Sequence, residues 1–258
     1  MEVCVLGSGS AGNCLYVAGN GTRLLVDAGL GLRETVARLA GLGVAPDAMT
    51  AVLFTHEHID HCRGAAALRR RHKATFYANE GTIAGVELAA PRLQCGWQVF
   101  ETGSPFVVGD LAVEPFSVPH DASDTVGFTI DDGRTRLGIA TDLGTVTALV
   151  RRKLSGCDAL IVETNHDVEM LKHSGRPWSV IQRILGRLGH LSNEDAAALL
   201  ADVLGPRLKT VFLAHLSAAC NTPVLAERAV REALHRACRE DVRLISTSPD
   251  VPTLRLEL

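Results

Sequence analysis

The segment Thr55-His56-Glu57-His58-Ile59-Asp60-His61 puts four side chains of metal-ligand type, His56, His58, Asp60 and His61, into six residues. The chain has only 10 histidines in 258 residues, so a string of this kind arises by chance about once in a thousand such sequences. It follows the apolar run Ala51 to Phe54 and precedes a helical pattern, which sets it in a strand-to-helix turn. His56 and His58 then face one way, Asp60 and His61 another, an arrangement suited to two adjacent metals. Imidazole and carboxylate donors suit Zn²⁺, Mn²⁺ or Fe²⁺ and leave the choice among them open. Two such ions about 3.5–4 Å apart bind a water between them, lower its pKa and deliver hydroxide in line with a leaving group. Asp60 can both ligate and accept a hydrogen bond from that hydroxide, which makes it a catalytic candidate.

Two metals need more ligands than one turn supplies, and a ligand from elsewhere should also end an apolar strand. His120 ends Val113 to Pro119, Asp142 ends Leu137 to Thr141, and His215 ends Val211 to Ala214. One polar residue at a strand end is ordinarily structural. Three of them downstream of such a histidine string form a ligand shell.

Strand candidates are Val3 to Leu6, Leu15 to Ala18, Leu24 to Asp27, Ala51 to Thr55, Ala74 to Ala78, Leu111 to Val118, Val126 to Ile130, Leu137 to Thr141, Ala159 to Glu163, Thr210 to Ala214 and Val242 to Ile245. Helical patterns cover 32–41, 62–72, 145–154, 178–188, 194–204 and 223–238. Ser192-Asn193-Glu194-Asp195 has the shape of a capping box, Thr222-Pro223 that of a helix start, and Asp131-Asp132-Gly133 that of a hairpin turn. This mixture predicts an α/β (α+β) chain whose sheets carry helices on their outer faces. With 47% apolar and 21% charged residues, disorder and fibrous repeats are excluded. The cysteines at 4, 14, 62, 95, 157, 220 and 238 are odd in number and scattered without a C-x-x-C pair, which argues against a disulfide framework and for a reducing cytoplasm. Met1-Glu2-Val3 shows no basic start of a signal peptide, and no apolar run is long enough to span a membrane.

Asp27 in Leu25-Val26-Asp27-Ala28-Gly29, the His56 to His61 string, His120, Asp142 and His215 together resemble, residue by residue, the motifs of the metallo-β-lactamase fold superfamily, over nearly the whole chain. The resemblance implies a four-layered αβ/βα sandwich forming a single domain over residues 1–258, with the metals at one edge between the sheets. It implies that His56, His58 and His120 hold the first metal, that Asp60, His61 and His215 hold the second, that Asp142 bridges them, and that Asp27 orients a ligand from behind. Members that hydrolyse β-lactams lack the bridging aspartate, so they are not the relatives this pattern points to. Gly7-Ser8-Gly9-Ser10-Ala11-Gly12-Asn13-Cys14, Val118-Pro119-His120-Asp121-Ala122, Glu163-Thr164-Asn165-His166-Asp167, Gly189-His190-Leu191-Ser192-Asn193 and Leu213-Ala214-His215-Leu216-Ser217 resemble the YycJ/WalJ branch. That branch implies DNA 5′-exonuclease or phosphodiesterase activity. The chain has no room for the large cap of the β-CASP members and no insertion resembling the tRNA-binding arm of the tRNA 3′-processing members. The expected function is therefore dinuclear, metal-dependent hydrolysis of phosphodiesters at DNA ends. The alternative is a thioester or lactone hydrolase of the glyoxalase II kind, which shares the seven ligands and which a net charge of −3 favours.

Substrate-binding candidates lie in three segments. Ser8, Ser10 and Asn13 occupy a Gly-rich turn that either cradles a phosphate or closes a tight hairpin. His190 and Ser192 precede the 194–204 helix: Ser192 is a plain N-cap or a phosphate contact, and His190 can donate to a phosphate oxygen or protonate a leaving group. Asn165 and His166 follow the strand ending at Glu163 and either line the same cleft or start a helix. Arg69 to Lys73 and Arg151 to Lys153 read as solvated helix ends or as a screened guide for a DNA backbone. Cys62 reads as a buried thiol close enough to the metals for oxidation to matter.

Overall fold

Period-two alternation decides the architecture. In the strand Glu2–Gly7, Val3 and Val5 face one apolar cluster while Cys4 and Leu6 face another, the two-sided burial of a strand covered on both faces. The computed structural model describes residues 1–90, 93 and 96–258 and places the strands in two seven-stranded sheets; Cys95 lies outside the described residues. The first sheet runs from Leu256–Glu257 through Glu2–Gly7, Cys14–Ala18, Arg23–Val26, Ala51–Leu53 and Thr75–Ala78 to Gln98–Val99. The second runs from Arg243–Ser246 through Thr210–Ala214, Ala159–Glu163, Arg136–Ala140, Val126–Asp131 and Leu111–Ser117 to Phe106–Val108.

The inner faces meet where Val5, Val17 and Leu24 pack with Phe128, Ile139, Ile161 and Phe212. Leu39 of the helix Leu32–Gly41 and Leu68 of Ala65–Arg71 cover the outside of the first sheet. Val150, Leu200 and Val230, from Ala148–Leu154, Asn193–Val203 and Pro223–Arg236, cover the outside of the second. Helix, sheet, sheet and helix make the expected four-layered αβ/βα sandwich. Thr147, Ser192 and Thr222 cap those three helices, accepting from the N–H groups of Val150, Asp195 and Leu225.

Two expectations need correction. The 62–72 helix is in fact two, Ile59–Cys62 and Ala65–Arg71, broken at Gly64 because the chain there runs against Leu30: a Cβ on Gly64 would lie 2.1 Å from the Leu30 carbonyl oxygen. The helix expected over 178–188 ends at Leu185. The helix Glu80–Ala89, capped by Asn79, has no counterpart in the sequence reading. Its two glycines weaken the helical signal, yet Gly85 is needed, since a Cβ there would stand 2.3 Å from Glu57 Cγ in the histidine string.

What positions a site is the direction of the strands. Arg23–Val26 pairs in parallel with Ala51–Leu53, and Arg136–Ala140, Ala159–Glu163 and Thr210–Ala214 pair in parallel with one another. Their carboxyl ends therefore gather at one edge. Three of the residues leaving them, Asp27, Asp142 and His215, have φ of 64°, 55° and 55°. Non-glycine residues in that region cost on the order of 1–3 kcal/mol each and cluster at functional sites. Among the described residues no helix is long and apolar enough to cross a membrane.

Candidate metal centre

His58 is the N-cap of Ile59–Cys62, so Asp60 and His61 lie on that short helix while His56 stands before it. The string is pinned by its backbone: Asn13 N–H donates to Asp60 O, and Ala28 N–H to His61 O, each at 2.8 Å. Ligand atoms of His56, His58 and His120 lie within 4.8 Å of one another, as do those of Asp60, His61 and His215 and those of His56, His61 and Asp142. Asp142 stands between the two triads. Its Oδ2 is 3.1 Å from His61 Nε2, and its Oδ1 is 3.3 Å from His215 Nδ1 and 3.8 Å from His120 Nε2.

These donors fit divalent cations. The buried Nε2 atoms of His56, His120 and His215 and the Oδ2 of Asp142 have no hydrogen-bond partner. An orphaned buried polar atom costs about 1–3 kcal/mol, so four of them converging on one place describe a cavity built for a cation. The opposite ring nitrogens are held. His61 Nδ1 donates to Asp27 Oδ2 at 2.8 Å, His120 Nδ1 to Gly189 O at 3.1 Å and His215 Nδ1 to Glu163 Oε1 at 2.9 Å, while His56 Nδ1 is 2.9 Å from Thr55 Oγ1. Such partners fix tautomer and ring orientation behind a metal ligand.

The electrostatics agree. Burial, reinforced by His61, holds His56 well below the ordinary imidazole pKa, and burial lowers His120 as well, which keeps both in the neutral, ligating form. Burial alone would raise Asp142, but the His215 and His61 imidazoles hold its carboxyl well below the usual range. Burial opposes charge on His215, yet Asp142, Asp60 and Glu163 push it up to about 10. The carboxylates thus demand positive charge at the cluster, and a divalent cation provides it while freeing the imidazole lone pairs.

The remaining candidates separate into two groups. Asp27 accepts from Thr55 N–H, Thr55 Oγ1–H and His61 Nδ1–H. Ser8 is buried, its hydroxyl accepting from His215 N–H at 2.8 Å. Asn13 is buried too, its Nδ2 donating to Asp60 Oδ2 at 3.2 Å and standing 2.9 Å from His61 Nε2. Ser192 is the helix cap. All three are buried and make these hydrogen bonds within the protein. Ser10 and His190, with Asn165 beside them, line an open pocket at the cluster's rim. The His190 ring lies 5.0 Å from that of His120 and 5.3 Å from that of His215, and its Nδ1 donates to Glu163 Oε1 at 2.7 Å. Burial would lower the His190 pKa; Glu163 raises it above the ordinary value. His166 is buried with neither ring nitrogen partnered. Cys62 donates to Glu57 O, and burial pushes its thiol up to about 11, which favours the protonated form. In the second basic cluster Arg151 pairs with Asp202 and Lys153 with Glu114.

Sequence reasoning missed Glu163. It is fully buried and receives His190 and His215 on Oε1 and the N–H groups of Leu143 and Leu191 on Oε2; against the burial that would raise it, His190 and His215 hold its carboxyl at about 2. The available signal was an acid ending the wholly apolar strand Ala-Leu-Ile-Val-Glu.

Two parallel-stranded edges facing each other across a buried histidine and aspartate cluster define a metallohydrolase-type fold, and the chain belongs to the beta-lactamase superfamily, whose domain matches residues 22–216. Within it the chain is similar to "Exodeoxyribonuclease YycJ" of Bacillus anthracis, 37% identical over 257 residues that cover 98% of this chain and 97% of that one. It is 35% identical to "Exodeoxyribonuclease WalJ" of Streptococcus pneumoniae serotype 2, with 98% and 97% covered. In structure it is similar to the metallo-beta-lactamase fold protein YhfI from Bacillus subtilis, with a TM-score of 0.72, 16% identity and coverage of 98% and 99%.

Proposed function

We propose that this chain is a dinuclear, metal-dependent phosphodiesterase that degrades DNA from its 5′ end in the cytoplasm. The observation that carries the reading is the convergence of His56, His58, Asp60, His61, His120, Asp142 and His215, with buried imidazole and carboxylate atoms left unpartnered; the exodeoxyribonuclease relatives favour DNA among phosphodiesters. His56, His58 and His120 would hold one ion and Asp60, His61 and His215 the other, with Asp142 as a ligand shared by both. When bound, two ions of Zn²⁺, Mn²⁺ or Fe²⁺ activate a water and offset the charge that builds on the phosphodiester.

Asp60, steadied by Asn13 Nδ2, accepts a hydrogen bond from the attacking water and fixes its direction. Asp27, Ser8 and Asn13 position ligands. His190, its Nδ1 committed to Glu163, presents Nε2 to the phosphate and delivers a proton to the leaving oxygen. Ser10 and Asn165 contact the strand. Residues 1–258 act as one domain, a reading supported by the pairing of Leu256–Glu257 with Glu2–Gly7.

Elemental analysis of protein purified without chelator tests the dinuclear site. About two transition-metal ions per chain are expected, lost together with DNA degradation on chelation and regained on reloading. A reproducible stoichiometry near one, unchanged by added metal, overturns it.

A further inference from the structure

Beside His190, one histidine away from the metal cluster, a pocket of about 200 Å³ is lined by Ser10, Asn165, Arg176, Arg183, His190 and Ser217. Pockets that take whole small molecules run to roughly 300–1,000 Å³, so this one is sized for a group rather than a molecule. Its basic lining is two arginines and the imidazole, with no carboxylate among the lining residues, in a chain whose net charge is −3. The floor is firm: Leu171, Ile181, Ile184 and Cys220 form a buried cluster that anchors the helix Trp178–Leu185, which carries Arg183. Arg183 Nε stands 3.3 Å from Asp121 Oδ2, which tethers the guanidinium by one edge. Among the described residues neither its Nη atoms nor the Arg176 guanidinium has a partner within the protein.

Pocket and cluster share a wall. His190 lines the pocket while its ring lies 5.0 Å and 5.3 Å from those of His120 and His215, and Asn165 Nδ2 donates to His215 O at 2.9 Å. We propose that this pocket binds the terminal phosphomonoester of a DNA strand through Arg176 and Arg183, and so sets hydrolysis at the next phosphodiester in from that end. The inference rests on the nuclease reading above. A phosphomonoester carries a charge of about −1.5 to −2 near neutrality, against a single charge on an internal diester, and the planar guanidinium matches its oxygens two at a time. Two arginines in a shallow, group-sized recess therefore select an end over the middle of a strand. They supply the end preference that a metal cluster alone lacks.

The test uses metal-loaded protein on otherwise identical DNA with 5′-phosphate, 5′-hydroxyl, 3′-phosphate or 3′-hydroxyl ends. Rates are measured on cleavable strands, and binding by anisotropy on phosphorothioate-protected ones. The 5′-phosphorylated strand is expected to bind more tightly and react faster than its 5′-hydroxyl counterpart by about tenfold or more. The R176A/R183A variant should bring both ratios close to one, and R176K/R183K should recover part of them. Both arginines are exposed, so the variants should keep the wild-type Tm. A preference confined to 3′-phosphorylated ends supports the pocket and reverses the polarity. Turnover of all four ends at equal rates, or ratios unchanged in R176A/R183A, overturns the pocket while leaving the nuclease reading in place. Failure to degrade any DNA overturns both.

Discussion

Asp142 touches both triads, so its loss should be felt at both. Asp142→Ala is expected to lower phosphodiester turnover by several orders of magnitude with the far-ultraviolet circular dichroism intact, whereas Asp27→Ala, one bond further out, should cost about 10–100-fold in metal affinity. Near-wild-type hydrolysis of bis-p-nitrophenyl phosphate by Asp142→Ala would remove it from the bridging position. Glu163→Gln keeps the side-chain shape but loses the charge that receives two imidazoles, so it should weaken metal binding by about 10–100-fold in a chelator-competition titration. An unchanged affinity would limit Glu163 to packing. His190→Ala should slow DNA degradation with no change in metal content. At this scale the clustered histidines and aspartates were legible because four of them form a recognisable string and three stand after apolar strands. Glu163 was not, because a glutamate at the end of an apolar strand shows no partner until His190 and His215 fold onto it. Ser8, Asn13 and Ser192 were legible as loop residues, while the direction each side chain takes depends on what folds over it. Arg176 and Arg183 carry no motif in the sequence, and only the packing of the helix Trp178–Leu185 and the loop before it beside His190 gives them a pocket.

The elements hold the cluster through close approaches that admit no side chain. A Cβ on Gly29 would lie 1.6 Å from Asp60 O and 2.6 Å from Asn13 N, where the turn after Arg23–Val26 crosses the helix Ile59–Cys62. Gly29→Ala should therefore destabilise the fold by about 1–3 kcal/mol and displace Asp60 and His61. Urea unfolding together with a metal count checks it; wild-type stability and full metal occupancy would show that this crossing does not set the site. The strands that end at the cluster were legible because alternation and β-branched composition mark them. The edge strands Gln98–Val99 and Leu256–Glu257 were not, being too short to show a period. The helix Glu80–Ala89 was hidden by the glycines that let it approach Glu57.

Across the whole molecule, charge at the cluster links metal, proton and stability. Glu163 is held at about 2 from an ordinary 4.5, so its contribution is complete above about 4.5 and is lost as pH falls toward 2. His215 is raised from 6.5 to about 10, so its contribution is complete below 6.5 and is lost as pH rises toward 10. Chelated protein should accordingly melt highest between these limits and lose Tm on the alkaline side, where metal-loaded protein should keep it because a cation then supplies the charge. Coincident melting curves for the two forms at pH 9 would contradict that linkage. In the proposed function this charge serves hydrolysis of DNA at an end. Purified protein, loaded in turn with Zn²⁺ and Mn²⁺, is therefore to be set against end-labelled, 5′-phosphorylated DNA and, in parallel, a glutathione thioester. Stepwise shortening of the DNA from its 5′ end, abolished by chelator, is expected with the thioester left essentially untouched; intact DNA beside rapid thioester hydrolysis would contradict the nuclease reading.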